Sequence, residues 1–182
     1  MDKHSARSTG LKNRASLSVE ERSSFSHQIF LHVLPELEHA DIISCYVSMR
    51  DEVSTEEILD WCFSHQKTVA VPKTLKHTLE FHVIHSRDDL KPGVFGVLEP
   101  QGGEILSPDS FDLILVPLSA FDAQGHRTGY GKGYYDSILS HCRKKIGLAF
   151  SCQCMPSIEP DPWDVTLDWI ITEKENPGEL QN

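Results

Sequence analysis

Between residues 42 and 71 the chain reads strand, helix, strand, and no other stretch limits its fold as much. Ile42 to Val47 is a short apolar run of strand length. Ser54-Thr-Glu-Glu57 has the spacing of a capping box and opens a helix carrying Ile58, Leu59, Trp61, Cys62 and Phe63. Thr68 to Val71 is a second strand, closed by Pro72. Two strands joined through one helix are a βαβ unit, whose strands run parallel with a right-handed crossover. A parallel sheet is covered on both faces. The rest of the chain must therefore supply more buried strands and more helix.

The remaining segments do so. Phe111 to Pro117 (FDLILVP) is the most apolar strand and is predicted to be central. Leu79 to Ile84 alternates like a half-buried strand, and Ile146 to Phe150 and Leu167 to Ile171 add two more. A further capping box, Ser18-Val-Glu-Glu21, starts a helix with Phe25, Ile29, Phe30, Val33 and Leu34, predicted to stop near Pro35. Another helix is predicted from about Gly133 to Cys142. Lys91 to Pro108 reads as an irregular loop, long enough to serve as a lid. Residues 173–182 read as a loose tail. The expected fold is one α/β domain over residues 1–182, a mainly parallel central sheet flanked by helices on both faces. Its ligand cleft should lie at the carboxyl ends of the strands, where loops 48–53 and 121–133 gather.

Charge narrows the function. Seventeen basic and 27 acidic residues give a formal net charge of −10, the wrong sign for a nucleic-acid or membrane-surface partner. No apolar run approaches the roughly 20 residues of a membrane span, and the polar N-terminus MDKHSARSTG has no apolar leader core. Five scattered cysteines suggest reduced thiols, and Cys152-x-Cys154 has no second pair to complete a zinc site. A cytoplasmic monomer is expected. Any anionic ligand must be held by a local cluster of cations and backbone N–H groups, against the global charge.

The segment from Phe121 to Asp136 has the makings of that cluster. It follows the most apolar strand, leads into the predicted helix, and carries Gly129, Gly131 and Gly133 together with Arg127 and Lys132. Glycines let a backbone approach a ligand and adopt positive φ, and N–H groups at a helix start attract anions. The spacing matches neither a Walker A loop nor the G-x-G-x-x-G dinucleotide fingerprint. Read without a ligand, the same residues make a tight turn with incidental charges.

Arg127-Thr-Gly-Tyr-Gly-Lys-Gly-Tyr-Tyr-Asp136, with Leu115-Val-Pro and Phe121-Asp before it, resembles the signature of the 5-formyltetrahydrofolate cyclo-ligase family, also called 5,10-methenyltetrahydrofolate synthetases. Ser48 to Thr55, Phe95 to Pro100, Val165 to Asp168 and the pair Lys3 and Arg7 resemble further family segments, so the likeness covers nearly the whole chain. It implies an ATP- and Mg²⁺-dependent cyclisation of 5-formyltetrahydrofolate to 5,10-methenyltetrahydrofolate, through a phosphorylated imidate at N5, with ADP and phosphate released. Carried over residue by residue, it implies that Arg127, Lys132 and Tyr134 are catalytic. Lys3, Arg7 and the run Arg127, Thr128, Gly129, Tyr130, Gly131, Lys132, Gly133, Tyr134, Tyr135 would bind ATP, a co-substrate. Val47, Glu52, Phe95, Tyr130 and Tyr134 would meet the folate, and Asp136 and Asp168 the Mg²⁺.

Each residue also has a structural reading. Asp136 could serve only a helix dipole, Asp168 and Glu52 could be solvated acids, Phe95 a core anchor, and Lys3 and Arg7 part of a loose N-terminus. Lys3 and Arg7 fall one turn apart if that segment is helical, although Ser8-Thr-Gly10 weakens a helix there. A relative that only binds folate or nucleotide is the alternative to an enzyme.

Overall fold

β1 (Ile42–Cys45) and β2 (Thr68–Thr74) pair in parallel, Ile43 opposite Val69, with α3 (Glu56–Ser64) crossing between them. On its other side β1 pairs in parallel with β7 (Leu113–Pro117), β7 with β10 (Lys145–Leu148), and β10 with β12 (Trp169–Ile171). β3 (Leu79–Ile84) returns antiparallel against β2, and two-residue β6 (Ile105–Leu106) closes that edge. The seven strands run in the order β12-β10-β7-β1-β2-β3-β6. The structure is a computed structural model that describes residues 1–93 and 96–174.

Alternation along β7 shows how the sheet is covered. Leu113 and Leu115 face α2 (Val19–His39) and α3, against Ile29, Val33, Leu37, Ile58 and Leu59. Ile114 and Val116 face the opposite layer, with Phe81, Phe111, Leu118 and the two apolar residues of α4 (Asp136–Leu139). All of these residues are 5% exposed or less. At about 1.5–3 kcal/mol per buried side chain, these two layers supply most of the drive to fold. A smaller three-stranded sheet, β8 (Ala120–Asp122), β9 (Arg127–Thr128) and β11 (Cys154–Met155), stands beyond the end of β7 and carries α1 (Lys3–Ala15). β4 (Leu90–Pro92) and β5 (Leu98–Pro100) form a two-stranded hairpin.

The α/β architecture agrees with the sequence reading, but four local expectations change. The second helix runs through Pro35 to His39; the carbonyl that loses its i+4 partner belongs to Leu31, which is 44% exposed and so near water. Ser54 does not cap α3. Thr55 is the N-cap, and its buried hydroxyl instead donates to the Tyr46 carbonyl and accepts from the Ser48 N–H. The helix expected over 133–142 has only four residues, because Gly133 has φ +69° and Cys142 bonds back to Leu139 in a tight turn. Part of the loop expected over 91–108 is the β4–β5 hairpin. Most of the expected tail, residues 175–182, lies outside the described residues. Among the described residues no helix is long and apolar enough to cross a membrane.

Candidate active site

A cavity of about 520 Å³ opens at the carboxyl ends of β1, β2 and β7, and Val47, Thr74 and Pro117 mark those three ends in its wall. The small sheet supplies the opposite wall. Buried Asp122 accepts from the N–H groups of Gln124, His126 and Ile158, and this fixes the β8–β9 turn that delivers Arg127. Every described residue singled out from the sequence lines this cavity, with the exception of Asp168. Phe95 lies outside the described residues.

Its cations come from two distant parts of the chain. α1 forms despite Ser8-Thr-Gly10, since Asp2 caps it by accepting from the Ser5 N–H at 2.9 Å. That helix sets Lys3 and Arg7 one turn apart on the face turned to the cavity. Arg7 Nε donates to the Gly129 carbonyl at 2.6 Å, and its guanidinium lies flat against Gly131. The φ of +84° at Gly131 favours glycine, and a Cβ there would also crowd Arg7 Nη1 at 3.3 Å. Arg127, whose side chain is 8% exposed, holds Asp136 Oδ1 at 2.7 Å while its Nε has no partner. Burial pulls its guanidinium below the usual range, and the carboxylates of Asp136 and Asp164 act in the opposite sense. Lys132 is exposed at the rim and has no ion pair among the described residues. Thr128 lines the cavity, with its hydroxyl 2.7 Å from that of buried Ser119.

The other half of the cavity is phenolic and acidic. Glu52 is 8% exposed, and its Oε1 accepts from the Tyr130 hydroxyl at 2.5 Å while Oε2 accepts from the Met49 N–H. Burial raises the pKa of its carboxyl, against the pull of those two donors. Tyr130 keeps one ring edge open, 40% exposed, with its oxygen turned inward. Burial also holds the Tyr135 and Tyr46 phenols well above their ordinary range, so both are neutral. Tyr134 is half-buried in the same wall.

The structure separates the two aspartates paired on sequence grounds. Asp168 precedes β12 at the amino end of a parallel strand, the end of the sheet away from the cavity. There it accepts from the Lys145 N–H at 2.8 Å and pairs with the Lys145 ammonium. The cavity has Asp161 and Asp164 instead, in a turn where the Asp161 N–H bonds the Asp164 carboxylate. Both carboxylates pair with Lys3, which keeps its ammonium charged although burial opposes it. The signal that would have found them is Asp161-Pro-Trp-Asp164, a turn sequence placed before the strand.

One cavity therefore combines a cation-lined glycine loop with a separate carboxylate–phenol wall, which suits two ligands, one of them polyanionic. The profile of the 5-formyltetrahydrofolate cyclo-ligase family matches residues 1–173. The chain belongs to that family. A Haemophilus influenzae 5-formyltetrahydrofolate cyclo-ligase is 30% identical over 171 residues, covering 88% of this chain and 91% of that protein. A mouse (Mus musculus) protein of the same name is 30% identical and covers 90% of each. In structure, an Aquifex aeolicus 5,10-methenyltetrahydrofolate synthetase superposes with a TM-score of 0.87 and 33% identity, over 99% of this chain and 93% of that one. A Mycoplasma pneumoniae 5,10-methenyltetrahydrofolate synthetase gives 0.79 at 28% identity, over 96% and 100%.

Proposed function

We propose that this cyclo-ligase family member converts 5-formyltetrahydrofolate to 5,10-methenyltetrahydrofolate with ATP as co-substrate, releasing ADP and phosphate. The observation that carries the reading is the two-sided cavity. Arg7, Arg127, Lys132 and the glycines 129, 131 and 133 form a cationic part of its wall, and Val47, Glu52 and the Tyr130 phenol bonded to Glu52 form another. A formamide oxygen leaves badly as hydroxide and well as phosphate, so the chemistry calls for positioning and charge neutralisation. The formyl oxygen attacks the γ-phosphorus and ADP leaves, giving an imidate phosphate at N5. N10 then attacks that carbon, loses its proton, and phosphate departs as the ring closes.

For the first transfer, Arg127 brings an unpartnered Nε and a guanidinium already fixed by Asp136. Loss of such a preorganised donor costs about 10²–10³ in rate. Arg7 and Lys132 offset charge along the polyphosphate. Glu52 accepts donors from the pterin edge, Tyr134 and Val47 flank the reacting end, and the neutral phenols keep water out. Leu98 of β5 lines the cavity, which supports a role for this part of the 91–108 segment in covering the folate.

The carboxylates fit a hard divalent cation. Asp136 and Asp164 both act on Arg127, and the Asp161 N–H bonds the Asp164 carboxylate. A pair of carboxylates suits Mg²⁺, which binds through one or two of them and the phosphates. Asp136 and Asp164 would hold it, and bound there it would neutralise phosphate charge. The same reading makes the protein a cytoplasmic monomer acting on small molecules, with no nucleic-acid partner.

Near-ultraviolet absorbance tests the proposal, because the methenyl product has a conjugated bridge that the substrate lacks. Absorbance should grow only when 5-formyltetrahydrofolate, ATP and Mg²⁺ are all present, and Arg127→Ala and Asp136→Ala should abolish it. A wild-type protein that binds both ligands and yields no product would overturn the enzymatic reading in favour of a binding relative.

A further inference from the structure

Arg14 is 4% exposed, in the last turn of α1, and does not line the cavity. Its side-chain bonds run to Asp51, Leu118 and Tyr130, of which Tyr130 lines the cavity. Nε and Nη2 donate to Asp51 Oδ1 at 3.1 and 2.9 Å. Nη1 donates to the Leu118 carbonyl at 3.3 Å and to the Tyr130 oxygen at 3.2 Å. Arginine has donors only, and a phenol has a single proton. Because the Tyr130 oxygen accepts from Arg14, its proton is directed to Glu52, 2.5 Å away. Asp51, Arg14, Tyr130 and Glu52 thus form one chain of alternating acceptors and donors, and only its last two members reach the cavity.

We propose that Arg14 is a positioning residue for the folate substrate: it orients the Tyr130 hydroxyl and anchors Asp51, so that Glu52 meets the ligand in one pose as a pure acceptor. This rests on the cyclo-ligase reading. With one bond to Tyr130 and one to the Met49 N–H, each oxygen of Glu52 keeps a lone pair for the ligand. Two acceptors held side by side match a ring edge that presents two N–H donors, as the amino-lactam edge of a pterin does. Without Arg14 the phenol is free to turn its proton elsewhere, Asp51 loses its cation, and the loop carrying Glu52 loses its anchor to α1. A lysine in its place keeps the charge but lacks the fork that serves Asp51, Leu118 and Tyr130 together.

The test uses Arg14→Met, Arg14→Lys and Tyr130→Phe in the full-length protein, with thermal melts to identify folded variants. Calorimetric titration gives the affinity for 5-formyltetrahydrofolate, and initial rates give KM for folate and ATP separately. Arg14→Met should weaken folate about tenfold and leave the KM for ATP within about twofold, with Arg14→Lys falling between it and the wild type. Tyr130→Phe leaves the Arg14–Asp51 pair intact and should reproduce most of the loss. The two changes combined should cost little more than either alone, since they cut the same chain.

The charged groups around Glu52 are Arg14 from α1 and Asp51 on its own loop, and the titratable neutral ones are the phenols of Tyr46, Tyr130 and Tyr135. Arg14 and Tyr130 both favour the charged carboxylate. In either variant the acidic limb of folate binding should therefore move to higher pH. Equal weakening of folate and ATP, fully additive losses, or an unmoved acidic limb would each overturn the proposal. If Arg14→Met does not fold, a Tyr130→Phe variant with wild-type folate affinity overturns it as well. A wild type that does not bind 5-formyltetrahydrofolate removes the cyclo-ligase reading itself, whereas binding that is the same in all variants removes only Arg14.

Discussion

Gly10→Ala sets two physical effects of opposite sign against each other. In an exposed helix the change should stabilise by about 1 kcal/mol, the difference in helix propensity between the two residues. Gly10, however, lies where α1 touches the turn after β7, and an added Cβ would sit 2.1 Å from the Ser119 carbonyl oxygen and 2.9 Å from Ala120 Cβ. Real Cβ atoms essentially never approach within 3.0 Å, so the helix must retreat by about 1 Å. The obstacle is backbone and cannot rotate away, which puts the cost at the upper end of overpacking, about 3 kcal/mol. The net expectation is a loss of about 2 kcal/mol, or about 4–8 °C in Tm for a chain of this length. The retreat also lengthens the bonds from Arg7 to Gly129 and from Arg14 to Tyr130, so both substrates should bind more weakly. Thermal melts with and without ATP read the first effect, and calorimetry with each ligand reads the second. A Tm equal to or above that of the wild type would show that α1 does not pack on Ser119 as described, and the reasoning would fail.

Three further outcomes are expected. Asp164→Asn should raise the Mg²⁺ concentration needed for half-maximal activity, whereas Asp168→Asn should leave that midpoint unchanged; a magnesium titration of both variants separates the two aspartates. Thr55→Val should cost about 1–3 kcal/mol in denaturant unfolding, because it strands the buried Ser48 N–H and Tyr46 carbonyl, while Ser54→Ala, whose hydroxyl only accepts a 3.4 Å bond from the Glu56 N–H, should stay within about 0.5 kcal/mol. Glu52→Gln should weaken folate binding and relieve the cost of a buried charge. Since burial raises the folded-state pKa of Glu52, stability from this group falls as pH rises from the ordinary carboxyl value through the raised one. The stability of the Gln variant relative to wild type should therefore be greatest near pH 7 and shrink as pH is lowered through that window, as unfolding curves at several pH values would show.

The elements legible in the sequence were those whose burial repeats at strand or helix period. Leu113 to Pro117, apolar on both faces, declared itself an interior strand covered on both sides, and it is third of the seven, beside the middle strand β1; the Ser18 capping box is present as written. What failed depended on tertiary contacts and backbone conformations that residue type alone does not show. Ser54 and Thr55 are equivalent by composition, but only Thr55 faces the end of β1, and that contact decides which one the loop uses. The loop from Arg127 to Asp136 was legible because glycine spacing is a local property, although its helix shrank once Gly133 took a left-handed conformation. The aspartates are the sharpest case. A parallel strand points its carboxyl end at the cleft, so Asp168, paired at the amino end of β10 and β12, is held away from it, whereas Asp164 in the earlier turn lines it. Nothing in the sequence marked Arg14, because its partners Asp51 and Tyr130 lie 37 and 116 residues away.

The face of α1 that bears Lys3, Arg7 and Arg14 bonds to residues 158, 122 and 116 positions further along the chain. During synthesis this helix therefore leaves the ribosome long before the residues it bonds to. The βαβ unit can pair early, but the substrate site waits for the turn at Asp161, made well after both strands of that unit. A nascent chain arrested before that turn can hold a stretch of sheet and no assembled site.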